Sequence, residues 1–280
     1  MNYQWYPGHM TKAMRMMQEE IKLIDLVVEI VDARIPKSSR NPEIDKLAAN
    51  KGRLILLNKS DLADKKGNEA WLSYYEKKNV TARLIDSKSG IGLKQIQEAV
   101  QIACKEKIER DRKRGIMNRP LRAMVVGIPN VGKSTFINAY AKKACTKTGN
   151  KPGVTKGKQW IRLNKTLELL DTPGVLWPKF EDPQIGLHIA MIGSMNDEIL
   201  HEDELADAII TFMQKHYPGN LEKQYQIQES SEESVIQQIA KRKGCLQKGG
   251  ELDYSRAAKL MTEDFRSGKL GRITLEYPED

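Results

Sequence analysis

Short apolar runs rich in β-branched residues punctuate the first two-thirds of the chain, at 26–31, 54–57, 82–85, 123–126 and 167–170. Each is too short for a buried helix and reads as a buried strand. Between several of them the apolar positions recur at helical spacing. Met10, Met14, Met17, Ile21 and Ile24 predict a helix over about 11–24, with the methionines facing a core. Residues 92–114 predict another whose end is crowded with charge, with Gly115 as a C-cap and Pro120 as a stop. After about 180 the strand signal fades, and 183–193, 197–216, 232–243 and 254–267 carry helical period. Strands alternating with helices predict an α/β domain with a mostly parallel sheet. The boundary is expected near 180–196, dividing the chain into an α/β domain at 1–180 and an all-α domain at 181–280.

The chain has neither an internal repeat nor a low-complexity stretch. No apolar run reaches the ~18 residues that a spanning helix requires. The first residues lack the basic flank and apolar stretch of a signal peptide, so none is expected. Cys104, Cys145 and Cys245 are odd in number and widely spaced. They predict neither a disulfide framework nor a metal pair, and fit a reducing cytoplasm. No pattern specifies an oligomeric state.

Charge adds an asymmetry to this picture. The net charge is +9, but residues 1–180 carry 35 Lys+Arg against 18 Asp+Glu, and residues 181–280 carry 11 against 19. Within the acidic part, 236–273 is locally basic, with 9 against 4. Two basic surfaces suit a polyanionic partner such as nucleic acid; they equally suit a merely solvated surface.

The strand ends carry the chemistry. Gly127-Ile128-Pro129-Asn130-Val131-Gly132-Lys133-Ser134 matches G-x-x-x-x-G-K-[ST] and lies between a predicted strand and the helix beginning at Thr135. Such a loop wraps phosphates in backbone N–H groups, including those of Asn130, Val131, Gly132 and Thr135. Lys133 reaches the β and γ oxygens, and the Ser134 hydroxyl takes Mg²⁺. Asp171-Thr172-Pro173-Gly174 closes the next strand; Asp171 is placed to hold Mg²⁺ through water, and the Gly174 N–H to meet a γ-phosphate. Thr155, in Lys151-Pro152-Gly153-Val154-Thr155, is placed to complete the metal shell. Asn58-Lys59-Ser60-Asp61 reads as a guanine-specificity loop. Asp61 accepts from the N1–H and exocyclic amine that adenine lacks, which disfavours ATP. Lys59 lies along the base, and Asn58 ties this loop to the phosphate loop. Ser87-Lys88-Ser89-Gly90 is a looser match to the loop that backs the guanine carbonyl, or a plain turn.

In ordinary small GTPases the phosphate loop comes first and the guanine loops last. Here the guanine loops, at 58 and 87, precede the phosphate loop at 127. The predicted fold is therefore a circularly permuted P-loop GTPase sheet followed by an all-α C-terminal domain. The segment 92–121 joins the old ends. The new ends bring residues 5–10 toward the phosphate end of the sheet.

Trp5-Tyr6-Pro7-Gly8-His9-Met10, Val31-Asp32-Ala33-Arg34-Ile35-Pro36, and the NKSD, GIPNVGKS, PGVT and DTPGVLWPKF segments together resemble the ribosome biogenesis GTPase A family over essentially the whole of 1–180. The tail, including Phe265-Arg266-Ser267-Gly268-Lys269-Leu270-Gly271, is similar too. The resemblance implies GTP hydrolysis in late assembly of the large ribosomal subunit, with precursor particles containing rRNA as partner. It also implies a C-terminal domain that contacts RNA, for which Lys241, Arg242, Lys243, Arg256, Lys259, Arg266 and Lys269 are the candidates. The loop at 87–89 departs from the usual Ser-Ala-Lys.

Val175 stands where many GTPases keep a water-orienting glutamine. His9 is the catalytic candidate, on chemistry, on the permuted geometry and on the resemblance; capping of the first helix or contact with RNA are its other readings. Asn130 either holds K⁺ beside the phosphates, as the resemblance implies, or simply suits a tight turn. Alternative functions are a regulatory switch that binds a protein partner, for which the acidic segment 197–207 is suited, and a tRNA-modification GTPase, for which no second catalytic motif is visible.

Overall fold

The structure is a computed structural model and describes residues 8–117, 119–144, 159–195, 202–228 and 231–279; the side chains of His9, residues 142–144 and Gln159 lie outside that description. The chain forms two compact units. Met1–Glu181 and Thr274–Asp280 make the first, and Asp182–Ile273 the second.

The first unit is built on six strands: β1 (Leu26–Asp32), β2 (Gly52–Asn58), β3 (Thr81–Leu84), β4 (Leu121–Val126), β5 (Gln159–Arg162) and β6 (Leu167–Asp171). They lie in the order β3-β2-β1-β4-β6-β5. All neighbours are parallel except β5, which runs antiparallel to β6. Every residue of β1 is buried, as befits a strand covered on both faces. The chain moves outward from β1 through β2 to β3, and in the opposite direction from β4. The order thus reverses between β1 and β4, and a crevice at the carboxyl ends of the strands beside such a reversal is where ligands of open α/β sheets bind. β4 carries the phosphate loop and β2 the guanine loop, so the permuted chain places both motifs there.

Five strands lie where the apolar runs predict them. β5 has no such run: it is an edge strand with Trp160 partly exposed, and pairing rather than burial defines it. The helix expected over 11–24 is α1 (Gly8–Glu20) followed by a 3₁₀ turn at Ile21–Leu23. The helix expected over 92–114 opens with a 3₁₀ turn and then breaks at Cys104 into α4 (Ile96–Ala103) and α5 (Lys105–Lys113). α4 buries Ile96, Ala99 and Val100, whereas α5 buries nothing, so no shared apolar face keeps the two in one line. Two further helices, α2 (Pro42–Leu47) and α3 (Lys65–Lys77), cross from β1 to β2 and from β2 to β3, and α6 (Lys133–Ala144) follows the phosphate loop.

The second unit holds α7 (Pro183–Met191), α8 (Glu202–His216), α9 (Asn220–Tyr225), α10 (Val235–Lys243) and α11 (Tyr254–Arg266) among the described residues. α11 packs on α8 and α10. The six-residue α9 is too short to show a period. The Arg266 guanidinium donates to Ala190 O at 2.8 Å and Met191 O at 3.2 Å. It thereby caps the C-terminus of α7, where a cation is favoured by the helix dipole, and is not a free RNA contact. Lys269 is likewise held by Asp264, at 2.6 Å.

The domain boundary expected from sequence needs one correction. Residues 274–279 do not belong with the helices but return to the first unit as a strap. The Leu275 N–H donates to Arg34 O at 2.9 Å. Trp71 Nε1 donates to Glu276 O at 2.9 Å. The Glu276 carboxylate accepts from the N–H groups of Lys37 and Ser38 and from the Ser38 hydroxyl. The Tyr277 hydroxyl donates to Asp64 at 2.9 Å. These are backbone-scale pairings spread over distant residues, and no local period announces them.

Candidate nucleotide site

On the phosphate side, β4 ends at Val126 and the chain turns through 127–132 into α6, whose first residue is Lys133. A helix N-terminus fed by such a loop presents unsatisfied N–H groups to an anion. Lys133 is buried, and its ammonium donates to Gly127 O at 2.9 Å and Ile128 O at 2.7 Å, both in its own loop. Burial pushes its pKa down to about 8, with Asp171 opposing the shift. A buried cation so held is poised to be stabilised by phosphate oxygens. Ser134 and Thr135 are exposed at the same helix end. Asp171 closes β6 in register with Val125 of β4, directly beside the loop. A Cβ on Gly174 would stand 2.8 Å from Lys133 Nζ and 2.9 Å from the Pro129 backbone. The backbone at this position therefore comes within reach of the same ligand as the lysine. The Val175 N–H donates to Gly127 O at 3.3 Å, which pins the chain leaving this motif to the phosphate loop.

On the base side, Asn58 ties three loops together. Its amide Nδ2 donates to Val131 O at 2.7 Å, and its Oδ1 accepts from the Ser87 N–H at 3.0 Å. The approach is so close that a Cβ on Gly132 would meet Asn58 Nδ2 at 2.4 Å. Lys59 adopts the left-handed conformation at φ 57, which lifts its side chain out of the strand. Asp61 is exposed, three residues beyond Asn58. Ser87 is buried with a hydroxyl that makes no hydrogen bond among the described residues, a donor that suits the guanine carbonyl. Lys88 and Ser89 are exposed, in a turn held by the Asp86 carboxylate, which accepts from the N–H groups of both.

Asp32 was assigned no role from sequence beyond its place in the Val31–Pro36 motif. It is fully buried at the end of β1 and accepts from Arg34 Nε and the guanidinium NH₂, each at 2.9 Å. Its second oxygen lies 3.0 Å from Lys59 Nζ. Burial by itself would raise this carboxyl; the charges of Arg34 and Lys59 outweigh it and hold it far below the usual carboxylate range. The lysine of the guanine loop is thus held by a buried carboxylate, whose own arginine is fixed by the strap through Leu275. The signal available in sequence was an acid closing a strand that is otherwise apolar apart from Glu29.

Residues 5–7, Thr155 and the His9 side chain lie outside the described residues; the backbone of His9 is in the first turn of α1. Val175 is buried and its carbonyl accepts from Asn41 at 3.4 Å. An apolar wall there cannot orient water. Asn130 sits at φ 59, a left-handed turn position that asparagine tolerates. No group of three or more metal-binding acids, cysteines or histidines occurs among the described residues. The donors present are one hydroxyl and one carboxylate, a set that fits Mg²⁺ held largely by phosphates and water.

Residues 122–244 match a family described as "50S ribosome-binding GTPase". The chain is 48% identical over 279 residues to a Bacillus cereus protein called "Ribosome biogenesis GTPase A", covering 99% of this chain and 94% of that one. It is 31% identical to the protein of the same name from Thermotoga maritima, over 99% and 95% of the two chains. Among solved structures, GNP-bound YlqF from T. maritima matches with a TM-score of 0.71 at 28% identity, covering 96% of this chain and 99% of that one. The GDP-bound form matches equally well, with a TM-score of 0.71. A phosphate loop and a guanine loop joined through Asn58 on a permuted sheet, and similarity running the length of both chains, lead to one assignment: this chain belongs to the ribosome biogenesis GTPase A family.

Proposed function

We propose that this protein hydrolyses GTP in the cytoplasm as an assembly factor of the large ribosomal subunit, binding rRNA-containing precursor particles according to its nucleotide state. The observation that carries this reading is the Asn58 bridge, which makes the guanine and phosphate loops one site, in a chain similar over its length to ribosome biogenesis GTPases. Asp61 accepts from the guanine edge. Lys133 leaves its loop carbonyls for the β and γ oxygens, and the Gly174 N–H meets the γ-phosphate. Ser134 and Asp171 are the residues here that would hold Mg²⁺, joined by Thr155; bound there, the ion neutralises phosphate charge. Asn130 is the residue for K⁺. The exposed Lys241, Arg242, Lys243, Arg256 and Lys259 of the helical unit remain as RNA contacts.

His9 supplies what Val175 cannot, orienting or deprotonating the attacking water. It follows the family motif at the start of α1, and a partner that fixes this segment would place it. Single-turnover hydrolysis, with and without large-subunit particles and in K⁺ or Na⁺, tests the reading. Wild type should be slow alone and faster with particles and K⁺. His9→Ala should lose on the order of 10²-fold of the stimulated rate while keeping GTP affinity and particle binding. Full stimulation in His9→Ala would assign catalysis elsewhere, and joint loss of binding and stimulation would make His9 a docking residue. Absence of any stimulation by particles would favour a switch that acts on a protein partner.

A further inference from the structure

The amino ends of β1 to β4, at the far end of the sheet from the nucleotide loops, surround an open cleft of about 1180 Å³. Eight lysine and arginine side chains line it, against two acids, Asp25 and Glu106. Asp25 is already committed. Its carboxylate takes Arg119 on both oxygens at 3.1 and 3.0 Å and the Arg122 N–H at 3.1 Å, with Lys107 at 3.8 Å. It therefore holds cations in place at the rim and offers little neutralisation to the rest. Lys22, Lys51, Lys105 and Arg110 make no ion pair among the described residues. They come from three separate parts of the chain, and nothing in the packing of the sheet requires like charges to converge there. Mutual repulsion in a concavity is a cost that an anionic ligand removes.

The source of these cations is informative. Lys105, Lys107 and Arg110 lie on α5 and Arg119 in the segment beyond it, within the stretch that links the guanine half of the permuted sheet to the phosphate half, and Arg122 is on β4 where that stretch ends. The linker closes the chain, and it also supplies half of the cations of the charged wall.

We propose that this cleft is a binding site for helical RNA, gripping its phosphodiester backbone independently of the nucleotide site. The lining contains no aromatic ring, so it lacks the platforms on which single-stranded bases stack. It offers cations for phosphates, with Leu23 and Ile102, about half exposed, as apolar contacts at the edge. That combination reads backbone and shape, which is how proteins recognise double-stranded RNA. The cleft goes beyond the basic helices of the second unit and does not depend on them. The identity of the natural RNA as ribosomal rests on the function proposed above; the existence of the site does not.

The test uses the full chain with GTP and a fluorescein-labelled RNA hairpin, read by anisotropy across a salt series. A triple variant, Lys51→Gln, Lys105→Gln and Arg110→Gln, should weaken binding by about tenfold or more at low salt. It should also reduce the slope of log affinity against log salt by roughly 2 to 3. All three side chains are at least partly exposed, and GTP affinity should not change, which checks the fold. Arg110→Glu alone should weaken the hairpin more than Arg110→Gln. Duplex DNA of equal length should bind less tightly if backbone shape is read, and equal binding would leave only a general polyanion site. Wild-type affinity and slope in the triple variant would overturn the proposal, as would failure of wild type to bind the hairpin at low salt. No ribosomal particle is present in this assay, so it fails or succeeds separately from particle-stimulated hydrolysis.

Discussion

At the carboxyl ends of the strands Asp32, Asn58 and Lys133 are buried, and each is held by named partners at 2.7 to 3.0 Å. At the amino ends of the same strands, Lys22, Lys105 and Arg110 stand in solvent without an ion pair among the described residues. The two regions share one sheet but follow different electrostatics. A buried polar group with fixed partners discriminates, because a ligand that fails to match leaves it unsatisfied in a low dielectric. An exposed cation attracts at range, is screened by salt, and discriminates little. The first end is suited to one nucleoside triphosphate, the second to a long polyanion.

The largest effect expected at the discriminating end is on base choice. Asp61→Asn should weaken GTP by about 10²-fold or more and improve xanthosine triphosphate, because the amide mirrors the changed base edge. Competition binding with the two nucleotides measures it. Equal loss of both would mean that Asp61 does not read the base. The same variant should leave hairpin binding at the other end untouched, and a parallel loss would erase the contrast between the ends.

A smaller effect follows from Lys133. Its ammonium titrates near pH 8 because burial disfavours the charge. Phosphate oxygens favour the charge and so raise the pKa in the complex. Binding then takes up a proton above about pH 8. GTP affinity should be at its full value below that pH and fall as pH rises, approaching tenfold per pH unit. Calorimetry in buffers of different ionisation enthalpy, up to about pH 9, detects the proton directly. A flat profile would mean that the lysine is already fully charged in the free protein. Lys133 does not line the cleft, so hairpin binding there should not depend on its protonation.

The smallest effect concerns the strap. Glu276→Ala removes the acceptor for Lys37, Ser38 N–H and the Ser38 hydroxyl. Leaving such donors unpaired should cost about 1 to 3 kcal/mol, read as a lower midpoint in urea unfolding. An unchanged midpoint would show that these contacts contribute nothing in solution. Because the strap bonds the backbone of Arg34, whose side chain holds Asp32, the loss should be felt at the guanine end of the sheet and not in the cleft.

Much of the site was legible in the sequence because its parts are local. The phosphate loop needs glycines at set spacing next to a lysine and a serine. The guanine loop needs an asparagine and an aspartate at the end of an apolar strand. The apolar runs place both at strand ends, and their order along the chain requires a permuted sheet. The loss of strand signal near 180 was legible as well, but not the return of 274–279 to the first unit. What depends on tertiary structure are contacts between residues far apart in sequence. Asp32 meets Lys59 only because β1 and β2 pair in register with Asp32 opposite Asn58. β5 exists only by pairing with β6. The strap at 274–279 forms neither helix nor strand, and its partners lie more than 200 residues away. The charged end of the linker helix, 105–114, reads as a solvated face until the fold sets it beside the strand ends. A linear pattern records which residue types can meet a phosphate, a base or a core; it takes the fold to decide which of them are buried together and which cations remain uncommitted, because both are set by neighbours that the chain brings from elsewhere.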